Sequence, residues 1–155
     1  MMTCAQFAAR LERAAIRAKN ELDIPTEAVM VIVEAQAREV IGTYRYGWPE
    51  LAPSTQADRV SKGYPADEPL LRTGEMAASI AHKSETTATG AEGLVYSGDV
   101  VALWQELGTT QRILPGLGRK RHIPPRSFLY QSLLRAVPDM GSAFGKFAEQ
   151  ILLGA

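Results

Sequence analysis

The chain has 155 residues, 46% of them apolar, and 17 basic side chains balance 17 acidic ones to a formal net charge of zero. That length and composition suit one compact domain, residues 1–155, with a real core. They argue against wholesale disorder and against a global field that would steer the chain to nucleic acid or membrane. Cys4 is the single cysteine, which excludes an intrachain disulfide and a cysteine-built zinc site.

Thr3 and Gln6 have capping-box spacing, and Phe7, Leu11, Ala14, Ala15, Ala18 and Leu22 then recur at helical spacing. Pro25 interrupts, and a second helix is expected over about 26–44 with the stripe Val29, Met30, Val33, Ala37, Val40 and Ile41. The two read as one long kinked helix or a consecutive pair. The stripe marks core packing first, and contact with a neighbouring subunit second. Residues 42–70 hold Gly47, Pro49, Pro53, Gly63, Pro65 and Pro69, and read as a loop-rich arm. Ser54 or Thr55 is expected to cap a short helix near 56–62.

Residues 79–86 and 93–97 read as two strands around a Thr/Gly-rich turn at 87–90. Asp99 is placed to cap a short helix, 100–107, that carries Trp104. A basic Gly/Pro-rich loop follows at about 108–125, with a strand expected near 111–114 and mobility over 114–122. A helix from about 127 to 136 ends at Pro138, and a last helix presents Met140, Phe144, Phe147 and Ile151 at i, i+4, i+7 and i+11. The fold class is therefore α+β: a long N-terminal helix or helix pair, a small mostly antiparallel sheet and C-terminal helices.

Reaction chemistry is not legible. His82 and His122 lack metal-ligand spacing, no GxSxG elbow occurs, and Gly116–Arg121 lacks the phosphate-loop pattern. The reading is a non-enzyme with no cofactor and no metal. The first residues carry no signal-peptide pattern, and no window approaches the roughly 20 apolar residues that span a bilayer, so a soluble chain without membrane contact is expected.

Charge is distributed in blocks. Glu85, Glu92, Asp99 and Glu106 stand without a basic residue among them, whereas Arg112, Arg119, Lys120, Arg121, Arg126 and Arg135 form an acid-free block. Solvated loops account for this equally well as function does. The functional readings are head-to-tail contact between an acidic face and a basic loop, or a basic lining along DNA.

Three short motifs run in order. Leu71-Arg72-Thr73-Gly74-Glu75-Met76 leads into Ser79-Ile80, Ala102 runs through Glu106 to Gly108-Thr109, and Pro124-Pro125-Arg126-Ser127-Phe128-Leu129 opens a helix. This order resembles the tail-completion (neck) family of tailed phages and the related virion morphogenesis family of Mu-like phages. Trp48-Pro49-Glu50-Leu51 upstream is similar to the Mu-like branch. Val101 and Ser127 depart from the usual tyrosine and proline. The resemblance implies a structural virion-assembly protein, a tail-completion or head–tail connector subunit. It would form a ring, hexameric in the virion, around the DNA path. Its partners would be copies of itself, the connector and tail-tube proteins, and DNA in the channel without sequence preference. It would reside in the host cytoplasm during assembly and then at the neck or tail top.

Thr73, Gly74, Trp104, Gly108, Pro124, Pro125, Phe128 and Leu129 are the motif residues expected to fix the fold. Glu106, Arg112, Arg119, Lys120, Arg121 and Arg126 are the interface candidates, with Arg126 able to pair with Glu106 of its own or a neighbouring copy. Ser127 is placed to cap its helix. The alternative is a small sequence-independent DNA-binding protein using the basic block 112–135.

Overall fold

A computed structural model of the chain describes residues 2–109 and 123–154. The strand expected near 111–114, the mobile stretch 114–122 and His122 lie outside the described residues. The elements in chain order are helices α1 (Cys4–Asn20), α2 (Asp23–Glu39), α3 (Pro53–Ser61) and α4 (Glu75–Ala78), strands β1 (Ile80–Thr86) and β2 (Ala91–Ser97), and helices α5 (Val100–Leu107), α6 (Leu129–Arg135) and α7 (Val137–Leu153). The fold is α+β, with an N-terminal helix pair, a two-stranded antiparallel sheet and C-terminal helices.

Local chemistry explains most element ends. At the start of α1 the Gln6 N–H donates to Thr3 Oγ1 at 3.2 Å and the Thr3 N–H donates to Gln6 Oε1 at 2.9 Å, a complete capping box. Pro25 sits in the first turn of α2 rather than before it. Its missing N–H falls among donors that have no helical acceptor, so the helix begins earlier than about residue 26. Gly42, at φ +86°, ends the helical run well before residue 44 and donates its N–H to Pro69 O at 2.7 Å. Helix α3 starts at Pro53 with Ala52 at its N-cap and no side-chain cap, so neither Ser54 nor Thr55 plays the expected part. A proline in the first turn presets φ instead.

The chain divides into two compact units, residues 2–32, 82–94 and 135–154 in one and 33–81, 95–109 and 123–134 in the other. In the first, α1 and α7 pack together around Ala14, Phe147 and Ile151. Strand β2 approaches α2 closely at Gly93, where an added Cβ would come within 2.6 Å of Met30 Cγ and Sδ. Mutual backbone bonds between Thr87 and Gly90 close the hairpin turn and set the register that puts Glu85 opposite Glu92.

The second unit has the larger core: Ala37, Val40, Ile41, Trp48, Met76, Ile80, Ala102 and Phe128. The segment 42–70, expected as an arm, sends Trp48, Leu51 and Pro69 inward. Arg59 holds it there. Its buried guanidinium donates from Nη1 to Glu68 O and Leu71 O, both at 2.7 Å, and to Pro65 O at 3.4 Å. Backbone carbonyls that no ladder uses are thereby satisfied, which lets an irregular segment lie against a core.

Candidate functional site

The second unit brings the motif residues together. Helix α5, capped by Asp99 accepting from the Val101 N–H at 2.8 Å, ends at Gly108. Gly108 has φ +70° and ψ 178°, a conformation open essentially to glycine alone. An added Cβ would meet Ile123 O and Pro125 N at 2.9 Å each, so the two chain segments pass too closely here for any side chain. Thr109 and Ile123 then form an antiparallel bridge, with Thr109 N–H donating to Ile123 O at 2.9 Å and Ile123 N–H to Thr109 Oγ1 at 3.1 Å. The two ends of the basic loop are thus fastened to each other.

Glu106 fastens them to the next helix. Its Oε2 accepts from the N–H groups of Phe128 at 2.8 Å and Leu129 at 3.0 Å, and its Oε1 accepts from the Tyr130 N–H at 3.1 Å and from Ser127 Oγ at 2.5 Å. One carboxylate satisfies orphan donors at the start of α6 and places negative charge at the positive end of a helix. Ser127 does not cap the helix, as its sequence position suggested. Its hydroxyl donates to the residue that does.

This arrangement uses up Glu106, and the intrachain pairing with Arg126 does not form. Arg126 is buried, 6% exposed, donates from Nη2 to Pro49 O at 3.1 Å, and its Nε has no partner among the described residues. Its backbone N–H donates to Gln105 O at 2.6 Å. Burial pulls the Arg126 guanidinium below its ordinary range, with Arg59 adding like-charge repulsion. Phe128 is fully buried and Leu129 packs against the same core, Trp104 and Pro124 are half-buried, and Pro125 is exposed. Thr73 donates to Glu75 Oε2 at 2.9 Å, and Gly74, at φ +85°, starts the short α4 that delivers Met76 to the core. Arg112, Arg119, Lys120 and Arg121 lie outside the described residues.

The four acidic residues of the block divide into two kinds. Asp99 and Glu106 serve as caps. Glu85 and Glu92 remain exposed, opposite each other on the hairpin, where like charges repel.

A second polar cluster, in the first unit, had no signal in the sequence because its members are 55 and 57 residues apart. His82 Nε2 lies 2.8 Å from Glu27 Oε1, and Ser84 Oγ donates to Glu27 Oε2 at 2.5 Å. Bonds from Ser84 and then His82 hold the Glu27 carboxyl below the usual carboxylate range. The serine gives its hydrogen bond to the carboxylate and not to the imidazole, the reverse of the order that activates a hydroxyl nucleophile. Among the described residues no group of three or more His, Cys, Asp or Glu side chains could hold a metal ion, and no helix is long and apolar enough to cross a membrane.

Comparison of the chain with protein-family models, with curated proteins and with solved structures finds no match.

Proposed function

We propose that the protein is a structural virion-assembly subunit of a tailed phage, a tail-completion or head–tail connector protein in which the Glu106 junction braces the described ends of the basic segment at about 108–125. The observation that carries the reading is the Glu106 junction. It ties the segment running to Gly108-Thr109 to the one opening at Pro124-Pro125, two of the three motifs on which the resemblance rests. Between them the sequence carries Arg112, Arg119, Lys120 and Arg121 and no acid. Joined ends at Thr109 and Ile123 are what an interface segment needs if it is to meet a negative partner in one register. No reacting group is required: the work is assembly into a ring around the DNA path.

The test is a triple change of Arg119, Lys120 and Arg121 to glutamate. The sequence sets these three residues in a Gly/Pro-rich stretch with few apolar side chains to pack, so the melting temperature is expected to stay nearly constant. Lysates should accumulate separate heads and tails under the electron microscope. Normally joined virions would overturn the role of the loop. Salt-dependent duplex binding by the isolated wild-type chain, lost in the variant while joining persists, would favour the DNA-binding alternative.

A further inference from the structure

Arg59 on α3 and Arg126 ahead of α6 are the charged side chains buried among the described residues, 8% and 6% exposed. Arginine does not shed its proton in a protein, so both positive charges persist under cover. Their partners are dipoles. Arg59 Nη1 donates to three carbonyls, and Arg126 Nη2 donates to Pro49 O. A carbonyl oxygen satisfies an N–H but carries no net charge, and a buried charge without a counter-charge is costly. The two guanidinium groups also lie close enough to repel each other. Among the described residues no carboxylate pairs with either of them. Asp67 turns elsewhere: it accepts from the Tyr44 hydroxyl at 2.5 Å and from Gln56 Nε2 at 3.3 Å.

Donors are left over on both forks. Arg126 Nε is buried and has no partner. Arg126 Nη1 and Arg59 Nε and Nη2 make no bond either, and these three are not shut off from solvent. What would complete them is an acceptor that carries negative charge and offers two or more oxygens, the chemistry a guanidinium fork matches. We propose that Arg59 and Arg126 together form a binding site for an oxyanion, a carboxylate or phosphate group that approaches from solvent and is held by the unused N–H groups of the two side chains. The anion sets a negative charge beside two like charges that the fold leaves uncompensated, which neither the carbonyls nor Asp67 does. The site uses none of residues 110–122, so its failure and a failure of head–tail joining are separable outcomes.

The arginine Nε–H resonances of the nitrogen-15-labelled full chain read the site directly. Arg126 Nε shares its guanidinium carbon with Nη1, so its resonance reports an anion at either atom. Inorganic phosphate and acetate are titrated separately at constant ionic strength. A saturable shift at Arg126 is expected, with only a shallow, unsaturated response at Arg13, which is exposed. The anion that binds more tightly identifies the source: acetate for a protein carboxylate, phosphate for a phosphate group. Arg59→Lys keeps the charge but loses the fork, and should weaken binding by about tenfold. The wild-type titration needs no variant and decides the matter even if Arg59→Lys does not fold. No saturation at Arg126 with either anion, an equal saturable shift at Arg13, or a folded Arg59→Lys chain that binds like wild type would each overturn the site and leave the two arginines as clamps on carbonyls alone.

Discussion

The Glu106 carboxylate accepts the Phe128 N–H at 2.8 Å across 22 residues of sequence. It does for α6 what a neighbouring Ser or Asp does for most helices. The cap comes from a distant segment, so helix start and loop closure form or fail together.

Glu106→Ala should therefore cost more than an ordinary cap. Three backbone donors and one hydroxyl lose their acceptor at a partly buried helix start. The expected loss is about 2–3 kcal/mol, and Glu106→Gln, which keeps one accepting oxygen, should lose about half as much. Urea unfolding of the three proteins reads both values. Equal stability of wild type and Glu106→Ala would show that water replaces the carboxylate without penalty.

Phe128→Ala should lose about 3–5 kcal/mol, because the ring is fully buried in the core of the second unit. A thermal melt measures it. A shift near zero would contradict the packing described above.

Gly108 and Gly47 separate backbone strain from crowding. Both have positive φ, +70° and +72°, but an added Cβ at Gly47 meets nothing within 4 Å, while at Gly108 it meets two backbone atoms at 2.9 Å. Gly47→Ala should cost about 1 kcal/mol from the left-handed conformation alone, and Gly108→Ala about 3 kcal/mol or more. Equal losses in denaturant unfolding would mean that the Ile123–Pro125 segment yields freely.

Much local order was legible in the sequence, though not at the starts of α2 and α3, where Pro25 and Pro53 sit inside the first turn. The Thr3/Gln6 capping box, the Asp99 cap of α5, the turn at 87–90 and the stripe of α7 each depend on residues a few positions apart, and the sequence spacing alone determined them. Tertiary structure decided what each charged side chain is for. In the sequence Arg126, at the entry to its helix, is able to pair with a carboxylate such as Glu106 of its own or a neighbouring copy. In the fold the glutamate faces four better-placed donors, and the arginine is drawn under cover to a carbonyl. The stripe of α1 likewise shows in the sequence that the helix has an apolar face. Whether that face is covered depends on what packs beside it, and α7 covers only part. Periodicity fixes the direction in which a side chain leaves its helix, but only the assembled fold fixes what it meets.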